Sequence, residues 1–265
     1  MFDTKKEQER EELHRAIWEI TDELREAVDG WDFKNYVLGT MFYRYISENL
    51  CNYINTGEVD AGNTDFDYAK MPDEEAEEAR EGLVEEKGFF ILPSELFCNV
   101  RANAATDENL SETLERVFRH IEESAKGSEA ESDFAGLLDD YDVNSNKLGS
   151  TVAKRNEKLV KLLNGVGEMK LGDVKDYSID AFGDAYEYLM MMYASNAGKS
   201  GGEFFTLADV AELLTRLGTV EKTEINKVYD PTCGSGSLLL KAEKNSGQRC
   251  DTGWLLWAGN QYYHL

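Results

Sequence analysis

Cysteine is scarce in this chain, and long apolar runs are missing from it. Its 265 residues include four cysteines, Cys51, Cys98, Cys233 and Cys250, none in CxxC spacing. That scatter argues against a structural zinc and against a disulfide framework, and a reducing, cytoplasmic setting is the simplest expectation. No metal site is expected. No run of about 18 apolar residues occurs, so no membrane-spanning helix is expected. The N-terminus, MFDTKKEQEREELHR, is charged throughout and lacks the apolar stretch of a secretory signal. Basic residues are also few. Lys and Arg number 28 against 52 Asp and Glu, which gives a net charge of -24. A surface of that sign repels a phosphate backbone, so any DNA role needs a local basic patch or a partner that supplies the grip.

What is present begins with helical patterning. Residues 5–29 place Leu13, Ile17, Ile20, Leu24 and Val28 at spacings of three and four, the mark of one buried face, with Gly30 as the expected stop. A second helix is expected over 33–50, with Phe33, Val37, Met41, Tyr45 and Leu50 along one side and Gly39 marking a close helix contact. The acidic run PDEEAEEAREGLVEEKG (72–88) reads as a solvated helix face. The segment GFFILPSELF (88–97) reads as a strand or an extended lead into a helix capped at Ser94. Helices are expected over 107–126, 132–140 and 147–169. The last of these carries a basic cluster of Lys154, Arg155, Lys158 and Lys161, either a solvated face or a contact for nucleic acid or an acidic partner.

The pattern changes after about residue 170. DAFGDAYEYLMMMYA (180–194) is a tightly apolar helix, and NAGKSGGEFF (196–205) is a glycine-rich joint. LADVAELLTRLG (207–218) follows as a helix with Thr206 at the N-cap. KVYD (227–230) is then a short strand, PTCGSGS (231–237) a glycine-rich turn, and LLLKAEK (238–244) a helix start. The fold class expected is a mainly α N-terminal domain followed by the beginning of an α/β, Rossmann-like domain.

The strand, turn and helix around Asp230 have the physics of a nucleotide site at the end of a parallel strand. Gly234 and Gly236 let the backbone approach a ligand where a Cβ would collide. The helix that follows offers unpaired N–H groups to an anion, and Asp230 can pair with a ligand ammonium or hydroxyl. Leu239 stands where the third glycine of the dinucleotide fingerprint G-x-G-x-x-G would be, which disfavours an unrelated dinucleotide binder. Gly198-Lys199-Ser200 imitates the end of a phosphate P-loop, but Tyr193 occupies its first glycine position and a helix precedes it, so that reading is rejected. A plain structural turn remains open on the glycine pattern alone.

Taken together, GEFFTLADVAELL and DPTCGSGSLLL resemble the cofactor motifs of N6-adenine DNA methyltransferases. They resemble most the modification subunit of type I restriction–modification systems. The helix FGDAYEYLM, the joint AGKSGGEFFT and the stretch AVDGWDFKNYVLGTMFYRYISENL (27–50) are similar to the same family, so the resemblance covers nearly all of 5–244. It implies an S-adenosyl-L-methionine-dependent transfer of a methyl group to adenine N6 in DNA. It implies that Glu203, Phe204, Phe205, Thr206, Leu207 and Ala208 line the cofactor pocket. Asp230, Gly234, Ser235, Gly236 and Ser237 would form the loop under its methionine portion. Leu207 stands where the family usually has proline. The partners implied are a DNA-specificity subunit, a second modification subunit, a restriction or motor subunit, and double-stranded DNA. That arrangement delegates sequence reading to a partner, which answers the charge objection.

The family's catalytic motif, Asn-Pro-Pro followed by an aromatic, has no counterpart here. The three prolines are Pro72, Pro93 and Pro231, and none follows Asn, so no catalytic residue is assigned. The expected domains are 1–170, helical; 171–244, the start of the methyltransferase domain; and 245–265, a frameshifted tail. Trp254 to Leu265 can be encoded so that reading one base later gives GFYGQEINITT, which resembles the family's continuation; Lys244 to Arg249 can likewise give KILGK. On this reading the chain is inactive alone. The alternative is a non-catalytic helical module for subunit interaction or DNA binding.

Overall fold

The computed structural model describes residues 4–24, 30–170, 181–196, 206–220, 228–230, 236, 238–239 and 241–242. Its contacts divide the chain into two compact units, Met1–Tyr186 and Glu187–Leu265.

The first unit is built around helix α8 (Val152–Glu168), on which α1 (Thr4–Leu24), α2 (Gly30–Asp60), α5 (Phe97–Asn103) and α6 (Leu110–Ser124) all pack. Leu159, Leu162, Leu163 and Val166 supply its buried stripe. Thr151 caps α8, its side chain accepting from the Lys154 N–H at 3.3 Å, one of the donors a helix start leaves unpaired. Leu13, Ile17 and Ile20 of α1 are buried as their spacing predicts, while 25–29 lie outside the described residues. Gly30 does not end α1; it opens α2.

Helix α2 is longer than its apolar pattern, and both α5 and α8 pack on it. It therefore buries Tyr36, Tyr43, Ile46 and Ser47 besides the predicted Phe33, Val37, Met41 and Leu50, while Tyr45 is exposed. Gly39 does mark a close approach, but to a connecting segment and not to a helix. A Cβ there would lie 2.6 Å from Tyr141 Cδ2. Tyr141 joins Tyr36, Tyr43, Phe97 and Phe118 in a chain of edge-to-face rings with centroids 5.0–5.5 Å apart.

The acidic run forms α3 (Asp73–Glu78) and α4 (Arg80–Lys87), and of α3 only Ala76 is buried, as a solvated face requires. Residues 89–92 form no strand, although Leu92 is extended, and Ser94 caps no helix. A short 3-10 turn at Pro93–Glu95 intervenes, and Leu96 is the N-cap of α5. Side chains take the place of a neighbouring strand here. Phe90 N–H donates to Ser124 Oγ at 2.9 Å, the Tyr68 hydroxyl to the Ile91 carbonyl at 2.8 Å, and the Tyr43 hydroxyl to the Glu95 carbonyl at 2.5 Å. Ser94 instead donates from its N–H and hydroxyl to the Asp73 carboxylate, at 2.9 and 2.6 Å. The expected helix 132–140 is a single turn, α7 (Glu131–Phe134), ended before Gly136, which has φ +69°.

Helix α9 (Ala181–Asn196) carries the chain from one unit into the other, and α10 (Ala208–Gly218) lies in the second. Val228–Asp230 has no strand assignment, and no strand occurs among the described residues. A parallel strand is defined by the ladder to its neighbour, and 228–230 carry no such assignment. No described helix is long and apolar enough to cross a membrane.

Candidate cofactor site

The described members of the predicted site all fall in the unit Glu187–Leu265. Glu203, Phe204, Phe205, Gly234, Ser235 and Ser237 lie outside the described residues. Thr206 is half-buried but is not the N-cap of α10. That position belongs to Leu207, with φ -53° and ψ 138°, whose carbonyl accepts from the Ala211 N–H at 2.9 Å; its side chain makes no capping bond. The cap falls there because Leu207 is the first residue whose carbonyl can close a helical turn, and side-chain chemistry does not decide it. Ala208 opens the helix, and Asp209 in the first turn complements its dipole.

Asp230 is half-buried at the end of Val228–Asp230. Gly236 is buried, with φ +76°. A side chain there would be held in the left-handed region, which costs a non-glycine residue roughly 1–2 kcal/mol. Helical residues 238–239 and 241–242 follow, with Leu239 and Ala242 buried and Leu238 and Lys241 half-buried. Gly236 lies six residues after Asp230 and two before the helical Leu238, and its left-handed backbone is one that glycine adopts without steric cost.

The basic cluster of α8 is partly engaged within its own domain. Lys161 pairs with Glu157 at 3.3 Å, and Arg155 donates from Nη1 to the Gly149 carbonyl at 3.3 Å. Lys154 is exposed and Lys158 half-exposed; burial, ahead of Lys154 and Lys161, lowers the Lys158 pKa. Sequence reasoning missed a polar cluster in the helical unit. The buried Glu95 carboxylate lies 2.7 Å from His120 Nδ1 and 3.9 Å from Arg116 Nε. Burial raises the Glu95 pKa, and the hydrogen bond and charge of His120 and the charge of Arg116 oppose it. Arg116 and His120 stand one turn apart on α6, but Glu95 comes from the Pro93–Glu95 turn, and no spacing rule could have joined it to them.

Comparison with known proteins decides the family. Residues 13–166 match the model described as the HsdM N-terminal domain, and residues 177–255 match that of N-6 DNA Methylase. The chain belongs to the type I restriction–modification methylase subunits. It is 46% identical over 271 residues to the type I restriction enzyme MpnII methylase subunit of Mycoplasma pneumoniae, covering 99% of this chain and 49% of that protein. The MjaIX methylase subunit of Methanocaldococcus jannaschii is 23% identical over 239 residues, covering 87% and 39% respectively. Among solved structures, the type I restriction–modification methyltransferase subunit of Streptococcus thermophilus superposes with a TM-score of 0.71 at 29% identity. That match covers 91% of this chain and 50% of that one. This methylase-subunit chain thus spans about half the length of the relatives it matches.

Proposed function

We propose that this chain provides the helical N-terminal domain and the opening, cofactor-binding segment of a DNA methyltransferase subunit. The reaction it serves is methyl transfer from S-adenosyl-L-methionine to adenine N6. The buried Gly236 at φ +76°, between Asp230 and the helical residues 238–239 and 241–242, carries this reading, because it fits a cofactor that must approach bare backbone. When bound, S-adenosyl-L-methionine supplies the electrophilic methyl group. Asp230 would hold a polar group of the cofactor, the 234–237 loop would run beneath its methionine portion, and Glu203 to Ala208 would wall the pocket. The 171–244 segment opens a Rossmann-like α/β domain on this reading.

The target adenine must leave the helix stack for its N6 to be reached. No residue of this chain is assigned to that step, since no Asn-Pro occurs in it. The chain is therefore inactive by itself. Its partners are a DNA-specificity subunit, a second modification subunit, double-stranded DNA and, for restriction, a motor subunit. They work in the cytoplasm. With a net charge of -24, the grip on DNA comes mainly from those partners. Calorimetric titration of the chain with S-adenosyl-L-methionine tests the reading. Saturable binding that weakens in Asp230→Ala supports it. A folded chain without binding favours a purely helical interaction module.

Residues 245–265 are proposed to derive from a shifted reading frame near Lys244. The back-translation supports this, while the N-6 DNA Methylase match continues past Lys244 to 255. Sequencing the coding DNA through codon 244 decides between them. An open frame restored by one base supports the shift, and a confirmed frame refutes it.

A further inference from the structure

Helix α10 turns its small side chains inward and its large ones outward. Ala211 and Thr215 are buried, while Val210, Leu213, Leu214 and Leu217 are exposed, Leu213 to 58% and Leu217 to 61%. Their spacings of three and four place these four on one face. Leu207 before it and Val220 after it are exposed too. The opposite side is polar, with Asp209 exposed and Glu212 paired to Arg216 at 2.5 Å. A contiguous apolar stripe of this kind marks a contact surface. The family match places α10 inside the methylase domain, which starts at 177, while the relatives extend to about twice this chain's length. A helix stripe is ordinarily buried against other elements of its own domain.

We propose that the Leu213–Leu217 face of α10 is the seam onto which the second half of the methylase domain packs. That half, supplied to this chain as a separate polypeptide, should then assemble with it into one domain. The inference rests on the functional reading above and adds the surface and its occupant. The first test co-expresses the chain with a tagged second half of the Mycoplasma pneumoniae MpnII methylase subunit. The expected result is a one-to-one complex by light scattering. Capture should fall at least about tenfold in Leu213→Asp/Leu217→Asp and be unchanged in Arg216→Ser on the polar face. Both variants alter exposed positions, and their helix content by circular dichroism should match the parent.

Capture that the double Asp variant leaves intact overturns the seam, even where the chain still binds S-adenosyl-L-methionine and the functional reading stands. A homodimer of the chain that this variant converts to monomers names a second copy as the occupant and also overturns it. Carbene footprinting covers the case in which the added half fails to fold alone. Labelling of Leu213 and Leu217 should drop severalfold when residues 1–244 are fused to that half, and unchanged labelling overturns the proposal.

Discussion

Ile20 of α1 lies over Gly165 of α8, its Cγ1 in the place a Cβ on residue 165 would need. Both partners sit in the seam between the two helices, and Ile20 is buried. Gly165→Ala should therefore push α1 off α8 and cost about 1–3 kcal/mol, read as a lower urea midpoint. Gly57→Ala is the contrast, since nothing lies within 4 Å of a Cβ there and the site is inside α2. It should gain up to roughly 1 kcal/mol from helix propensity alone. Equal effects of the two would refute the seam.

Arg44 holds the end of α8. Its Nη1 donates to the carbonyls of Val166 and Met169, both at 2.7 Å, and Nε pairs with Glu48 at 2.6 Å. Those carbonyls belong to the helix end, where intrahelical partners run out. Arg44→Ala should cost about 1–3 kcal/mol, and Arg44→Lys should recover only part of it, since one ammonium cannot reproduce the fork. Amide exchange near Val166 should quicken in both variants.

The pH dependence follows from Glu95. Burial raises its pKa, so the folded chain holds this proton more tightly than the unfolded chain. The stability it contributes is complete below the ordinary carboxylate value and is lost as pH rises through the raised one. Glu95→Gln removes that titration. Its stability relative to the parent should climb across this window and level off above it in urea melts. Parallel pH profiles for the two proteins would contradict the assignment.

Leu207 has φ -53°, which proline also adopts, and it precedes the first residue of α10. Leu207→Pro should leave the melting temperature of the chain unchanged or slightly raised. A clear drop would show that the Leu207 N–H or side chain matters more than its backbone angle.

The helical domain was readable where one face is buried. The Leu13–Ile17–Ile20 stripe of α1 follows from spacing alone, and α8 falls within the expected 147–169 but starts only at Val152, after its cap Thr151. Elements fixed by distant partners were not readable. The 89–92 segment looks like a strand in sequence, yet the Phe90 N–H and Ile91 carbonyl are met by Ser124 and Tyr68 from other elements. Tyr45 fits the α2 pattern but is exposed, while Tyr36, Tyr43 and Ile46 outside the expected stripe are buried. At the site, the glycine turn marked Gly236 as a position where a Cβ is absent, its positive φ was not anticipated, and the cap of α10 fell on Leu207 and not on Thr206.

The most direct test of the central claim is a chimera in which residues 1–244 replace the matching half of the Mycoplasma pneumoniae MpnII methylase subunit. Transfer of tritiated methyl from S-adenosyl-L-methionine to adenine in double-stranded DNA is then measured with its specificity subunit present. The account predicts methylation by the chimera, reduced at least about tenfold by Gly236→Ala. A folded chimera that assembles with the specificity subunit yet neither binds S-adenosyl-L-methionine nor methylates DNA would contradict it.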